Sequence, residues 1–294
     1  MERTQFIVEA DIKGFFNHVG HDWMHKFLNH RITDNRLLRV IHRFLKAGVM
    51  EDGVISASEE GTPQGGLVSP ILSNVYLHYV LDLWFEKRFA RHCRGKAFLV
   101  RYCDDFVACF QLQEDAERFM AELPNRLGNF NLEIEPTKTQ LIRFGTQAAR
   151  TCNADGLRRP KTFSFLGFTH FVTKSRRGNF LVGRRTEAKR IRNKLKELNL
   201  RMSELRVKGG RAMLDFAKQH FQGHLQYYGV SGNLSSVERY LKFTQRLLFK
   251  WLNRRSQKRS MAWPEFREYL KASGMPRPRI VRNLYDFFPS RKTQ

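Results

Sequence analysis

Apolar positions along the first 180 residues alternate between two periods. Residues 5–12 form a short β-prone run (Phe6, Ile7, Val8) that ends at Asp11 and predicts a strand. Over 22–47, Phe27, Leu28 and Ile32, then Leu37, Leu38, Ile41, Phe44 and Leu45, fall at helical spacing, with Asp34-Asn35 breaking the run into two helices. Residues 61–66 are loop-like in composition, and a long helix is expected from about Ser69, with Ile71, Leu72, Val75, Tyr76, Tyr79 and Leu83 on one face. Residues 98–102 and 106–110 predict a β-hairpin whose turn carries Asp104 and Asp105. An amphipathic helix follows over 114–127, with Pro124 near its end, then a strand over 131–134. A second hairpin is expected from 163–172 and 179–182, around 176–178. Strands and helices in this order make the first part an α+β domain.

Beyond Arg184 the period is helical throughout. Ile191, Leu195, Leu198, Met202 and Leu205 make one stripe, and Tyr240, Phe243, Leu247, Leu248, Trp251 and Leu252 another. On the latter helix Lys242, Arg246, Lys250 and Arg254 recur every four residues, which sets four cations on one face. Glu238 is the sole acid nearby, so ion-pair lacing does not account for them.

Charge sharpens this division. The net charge is +24, yet residues 1–173 hold 22 Lys+Arg against 20 Asp+Glu, while 174–294 hold 30 against 8. Such an excess opposes compaction unless a polyanion neutralises it, and counterion release from phosphates is the strongest available compensation. A solubilising surface or an anionic membrane are the weaker readings. No run of 18 apolar residues predicts a membrane span, and the N-terminus does not read as a secretion signal. Four cysteines without Cys-x-x-Cys spacing exclude a zinc ribbon and suit a reducing cytoplasm.

The candidate chemistry lies in three carboxylates. Asp11 ends a strand, and Asp104 and Asp105 sit together in a hairpin turn, where adjacent acids repel each other. Oxygen donors gathered this way suit Mg²⁺, and two such ions serve phosphoryl transfer by activating the attacking hydroxyl and stabilising the leaving oxygen. A hydrophilic turn is the alternative for the Asp104-Asp105 pair taken alone.

The surrounding motifs decide between them. Tyr102-Cys103-Asp104-Asp105 resembles the Tyr-x-Asp-Asp box of reverse transcriptases, and Asp11-Ile12-Lys13-Gly14-Phe15-Phe16 resembles their first-aspartate motif. Gly61-Thr62-Pro63-Gln64-Gly65-Gly66 with Ser69-Pro70, Pro136-Thr137-Lys138-Thr139, and Phe165-Leu166-Gly167-Phe168 match the remaining palm motifs in the family's order. The Gly-Thr-Pro-Gln-Gly-Gly form is similar to the group II intron-encoded reverse transcriptase/maturase branch. Cys103 departs from that branch's usual alanine and is expected on the strand.

That resemblance implies a polymerase palm, an antiparallel sheet with packed helices, over 1–175, followed by an α-helical thumb/maturase domain over 176–294. It implies RNA-directed DNA synthesis with Asp11, Asp104 and Asp105 and the backbone of Ile12 holding two Mg²⁺ ions. Phe16 would be a steric gate against the ribose 2′-hydroxyl, with a core role as the alternative. Gln64 and Gly65 would line the nucleotide and template pocket, and Lys138 would lie near the triphosphate. Phe165, Leu166 and Gly167 would form the primer grip. Arg184, Arg185, Lys189, Arg190 and the Lys242–Arg246–Lys250–Arg254 stripe would bind RNA, and His220-Phe221-Gln222-Gly223-His224-Leu225-Gln226-Tyr227-Tyr228-Gly229 resembles a maturase segment. The implied partners are intron RNA, an RNA template with a DNA primer, and dNTPs. With ten residues before Asp11, the fingers are expected to be missing or supplied by a separate chain. A non-catalytic RNA-binding maturase and a decayed fragment therefore stand as alternatives.

Overall fold

The structure, a computed structural model, describes residues 4–46, 49–51, 54–56, 68–152, 156, 158–175, 177–254 and 261–284, with only the backbone of 49–51 and 54–56. Two compact units are formed by residues 1–166 with 171–182, and by 167–170 with 183–294.

In the first unit β1 (Phe6–Ala10) leads through a 3₁₀ turn at Phe15–Asn17 to α1 (His21–Asn29) and α2 (Asn35–Lys46). The expected break between these helices falls where Asp34 accepts the Arg36 N–H at 2.7 Å, a carboxylate closing the first turn of α2. A small ribbon, β2 (Val49–Glu51) with β3 (Val54–Ser56), precedes α3 (Ser69–Leu77). Here α3 starts at the expected Ser69 but runs on through two π-helical turns, His78–Asp82 and Phe85–Phe89, rather than as one regular helix. Next come β4 (Ala97–Tyr102), β5 (Asp105–Phe110), α4 (Gln113–Gly128), β6 (Gln140–Arg143) and the short α5 (Ala148–Thr151). The strand expected over 131–134 is reduced to a single bridge, Ile12 to Ile134, and β6 takes its place in the sheet.

Strand order is β4-β5-β1-β6, with every pairing antiparallel. Alternation gives each face a separate core. Val8, Ala10, Phe106, Ala108 and Phe110 join the helices in a core whose centre is aromatic, with Phe110 and Phe119 rings 5.4 Å apart and Phe89 5.3 Å from Phe119. On the opposite face Ile7, Val107 and Ile142 pack with Phe144 and Phe163. A further sheet, ordered β7-β8-β9, consists of β7 (Phe163–Phe165), β8 (Phe168–Lys174) and β9 (Phe180–Thr186). Residues 163–172 thus turn at Leu166-Gly167 instead of running straight.

The second unit is helical: α6 (Ala188–Leu205), α7 (Gly210–Tyr228), α8 (Leu234–Leu252) and α9 (Trp263–Ala272). Leu198, Met202, Met213, Leu214, Leu248 and Phe266 form one buried cluster, and Phe221, Leu225, Tyr228, Val237 and Tyr240 another. Phe243 departs from its expected stripe: it is exposed, with Arg246 over its ring at 5.8 Å. Asn233, fully buried, ties the unit together by accepting the Thr186 N–H at 2.8 Å and donating to the Thr186 hydroxyl and the Tyr228 carbonyl. This α+β sheet with packed helices, followed by a helical domain, is the architecture of a polymerase palm and its helical extension.

Candidate active site

The three acids fall at one end of the sheet. Ala10 pairs with Phe106, so Asp11 and Asp105 are the next residues outward on adjacent strands. Tyr102 pairs with Asp105, leaving Cys103 and Asp104 as a two-residue turn. Cys103 lies in that turn at φ +54° and not on the strand as expected. A hairpin this tight needs left-handed backbone, which a non-glycine residue adopts at a cost.

Lys138 is brought to Asp11 by local pairing. Lys13 N–H donates to the Glu133 carbonyl at 2.9 Å and Glu135 N–H to the Asp11 carbonyl at 2.8 Å. These bonds flank Ile12, whose buried side chain enters the core while its own N–H and C=O are left out of the pair. The 3₁₀ turn Pro136–Lys138 follows, and the Lys138 ammonium reaches the Asp11 carboxylate. The bond and charge of Asp11 hold the Lys138 pKa above its usual value. Glu135 has its pKa lowered by bonds from the Thr137 hydroxyl and backbone.

The donors fit a hard cation in kind, all being carboxylate oxygens, and the strand register sets them side by side. Their side chains are not gathered: among the described residues no three His, Cys, Asp or Glu form a metal-holding group, and a lysine ammonium stands on Asp11.

Gly14, left-handed at φ +53°, turns the chain after Asp11, so that Phe15 is buried while Phe16 is half-buried with its ring edge-on to Phe15 at 5.4 Å. The gate candidate is therefore the outer of the two rings. Tyr102, Val100 and Phe98, exposed at 64%, 45% and 54%, share the sheet face of Asp105 and present an apolar edge beside the acids. Gln64 and Gly65 lie outside the described residues.

Phe165 and Leu166 are half-buried in the first unit, with Leu166 left-handed at φ +51°. Glu9 in β1 accepts the Ser164 N–H at 2.9 Å and the Gln140 amide at 2.8 Å, which fixes this segment to the strand bearing Asp11. Gly167, in the second unit, has φ +74° and a Cβ there would come 2.8 Å from the Tyr228 hydroxyl, so a larger residue would be strained and would have to displace that ring. Arg185, Lys189 and Arg190 are exposed on the second unit, with Arg190 3.8 Å from Glu187, and Arg184 is half-buried. Lys242, Arg246 and Arg254 are exposed on α8 or just past its end, whereas Lys250 is half-buried and donates to Asn199 at 3.3 Å.

Sequence reasoning passed over Arg101, because one arginine in a strand carries no periodic signal. Its guanidinium grips Asp82 with two bonds, at 2.7 and 2.5 Å, and also reaches Asn74 and the Cys103 carbonyl.

Residues 1–170 match the family described as "Reverse transcriptase (RNA-dependent DNA polymerase)". Protein YkfC of Escherichia coli (strain K12) is 27% identical over 234 residues, covering 70% of this chain and 58% of that protein. Group II intron-encoded protein LtrA of Lactococcus lactis subsp. cremoris is 42% identical over 84 residues, 27% of this chain and 14% of LtrA. The chain thus spans little more than half the length of one relative and a small part of the other. The structure of apo telomerase from Candida tropicalis aligns with a TM-score of 0.50 at 13% identity, over 93% of this chain and 46% of that one, a likeness of fold. With more than half its length inside the family match, the chain belongs to the reverse transcriptase family.

Proposed function

We propose that this chain carries the palm and helical domain of an intron-encoded reverse transcriptase/maturase, extending a primer 3′-end with dNTPs on an RNA template and gripping intron RNA through its basic helices. One observation carries the reading: Asp11 and Asp105 are the next residues outward on paired strands, with Asp104 in the adjoining turn. Asp11, Asp104, Asp105 and the Ile12 carbonyl would hold two Mg²⁺ ions, which when bound supply activation of the 3′-hydroxyl and stabilisation of the leaving oxygen. Lys138 would exchange Asp11 for the triphosphate as nucleotide enters, since a phosphate competes for the same ammonium. Phe16 would stand against the sugar, and Phe165, Leu166 and Gly167 against the primer.

A second reading, an RNA-binding maturase without catalysis, is favoured by the Lys138–Asp11 pair, which neutralises a metal ligand. Primer extension on an RNA template, measured against Mg²⁺, separates the two. Metal-dependent extension lost by about 10³-fold or more in Asp104→Asn/Asp105→Asn supports polymerisation, a loss equivalent to roughly 4 kcal/mol of barrier. Extension that survives the double substitution overturns it, and salt-sensitive RNA binding without extension favours the second reading.

A further inference from the structure

We infer that Arg101 is a positioning residue: anchored on Asp82 and Asn74, it orients the Cys103–Asp104 peptide and so sets the direction in which the carboxylate turn presents its metal ligands. This rests on the reading of Asp104 and Asp105 as metal ligands.

Arg101 stands in β4 immediately before the turn. Alternation sends its side chain to the helix-covered face of the sheet, opposite to Tyr102 and Asp105. There its side chain is 11% exposed. Nε donates to Asp82 Oδ1 at 2.7 Å and Nη2 to Asp82 Oδ2 at 2.5 Å, a bidentate fork. His78 Nδ1 lies 3.6 Å from Oδ2 of the same carboxylate. Nη1 is shared between Asn74 Oδ1 at 2.9 Å and the Cys103 carbonyl at 2.8 Å.

That final bond is the informative one. An ion pair serving stability alone has no need to reach the turn. The Cys103 carbonyl belongs to the planar peptide unit whose nitrogen is that of Asp104. Holding its oxygen fixes the plane of that unit, and with it the line along which the Asp104 side chain leaves the backbone. Cys103 needs such support, because its left-handed conformation is disfavoured for a residue with a Cβ. The anchors are rigid: Asn74 is in α3 and Asp82 ends the first π-helical turn, both in the helical run that follows the 61–66 motif. A lysine would keep the charge but, as a point donor, could not span Asp82, Asn74 and the Cys103 carbonyl together.

The test is Mn²⁺ binding by electron paramagnetic resonance on the whole chain, alongside thermal melts, for wild type, Asp104→Asn/Asp105→Asn, Arg101→Lys and Asp82→Asn. Arg118→Lys is the control, since Arg118 lies within 3.6 Å of Asp115 and 3.8 Å of Glu122 on α4, in contact with neither Asp82 nor Cys103. Ligand-orienting partners typically cost 10–100-fold in metal affinity when altered, so Arg101→Lys and Asp82→Asn should weaken Mn²⁺ by at least about tenfold while folded. Arg118→Lys should leave it unchanged, whatever it does to the melt. Should both clamp variants fail to fold, Asn74→Ala, which removes one neutral anchor, decides in the same assay. Wild-type Mn²⁺ affinity in a folded clamp variant overturns the inference and leaves the metal site standing. Equal Mn²⁺ binding by wild type and the double aspartate variant overturns the metal reading, and this inference with it.

Discussion

The two units spend their positive charge differently. In the first, cations are consumed internally: Arg101 on Asp82, Lys138 on Asp11, and Arg126 on the Val80 and Tyr79 carbonyls with its guanidinium 4.5 Å over Phe130. In the second, Arg190, Arg201, Arg211, Lys218 and Lys271 have acid partners, but among the described residues Lys242, Arg246, Lys250 and Arg254 have no ion pair, and the last three lie over aromatic rings. A cation with a fixed carboxylate partner shapes a site, whereas one with none keeps its full attraction for an outside polyanion. The near-neutral and strongly basic segments thus differ in how far their cations are already partnered.

The largest effect expected from this contrast is in RNA affinity. If six to ten phosphates are neutralised by the second unit, binding should weaken by roughly 10³–10⁵ between 50 and 200 mM salt. Replacing Lys242, Arg246 and Lys250 by alanine together should lower the salt slope by about one per lost phosphate contact. Filter binding across a salt series reads both, and an unchanged slope would erase the distinction between the units.

Lys138 probes the contrast from the other side. Lys138→Ala removes the cation seated on Asp11, so Mn²⁺ should bind more tightly to the free protein, by a few fold at this exposed pair. In the same variant the KM for dNTP should rise, by about tenfold for one lost charge-assisted bond worth roughly 1.5 kcal/mol. Weaker Mn²⁺ binding would mean that the pair supports the acids rather than blocking them.

Phe16→Ala should raise ribonucleotide incorporation relative to deoxyribonucleotide, because the outer ring of the Phe15–Phe16 pair is the one able to meet a sugar. An unaltered sugar preference in an active protein would assign Phe16 to packing. Phe15→Ala, by comparison, should cost about 3–5 kcal/mol of stability, as for other large-to-small changes in a core.

A further effect concerns pH. His224 is fully buried against Tyr240, ring centroids 3.7 Å apart, and burial followed by Lys194 and His220 lowers its pKa to about 3. A depressed histidine is neutral when folded but takes up a proton when unfolded below its ordinary pKa near 6.5. Stability is therefore complete above about pH 6.5 and is lost as pH falls toward 3, at about 1.4 kcal/mol per unit. Between pH 6.5 and 5 the loss should be about 2 kcal/mol, and His224→Phe should remove that part of the slope in thermal melts.

Much of this arrangement was legible in sequence because it rests on local periodicity. The helix break at Asp34-Asn35, the start of α3, the carboxylate hairpin and, Phe243 apart, both helical stripes follow from short-range spacing. What escaped was set by long-range pairing. The strand expected over 131–134 does not form, because that segment is used in pairing around Ile12, and β6 is the strand that flanks β1. Cys103 looked like a strand residue since nothing in its neighbours announces a left-handed turn. Arg101 makes its contacts 19 and 27 residues away in sequence, where no motif spacing could have signalled them.

The two π-helical turns have a consequence for how this chain tolerates length changes. A π turn holds one residue more than an α turn, so deleting one residue within 78–82 would yield an unbroken α-helix at little local cost. Later side chains in that run would keep their facing, because the residue lost is the surplus one of the π turn, whereas a deletion from a regular α turn rotates everything after it by about 100°. A deletion within the turn before Asp82 would therefore leave the clamp on Arg101 in place, while one at Leu83 or Trp84, in the α-helical link, would displace Phe85 and Phe89 from the aromatic core. Two single-residue deletions a few positions apart would thus differ sharply, the first tolerated and the second damaging the core.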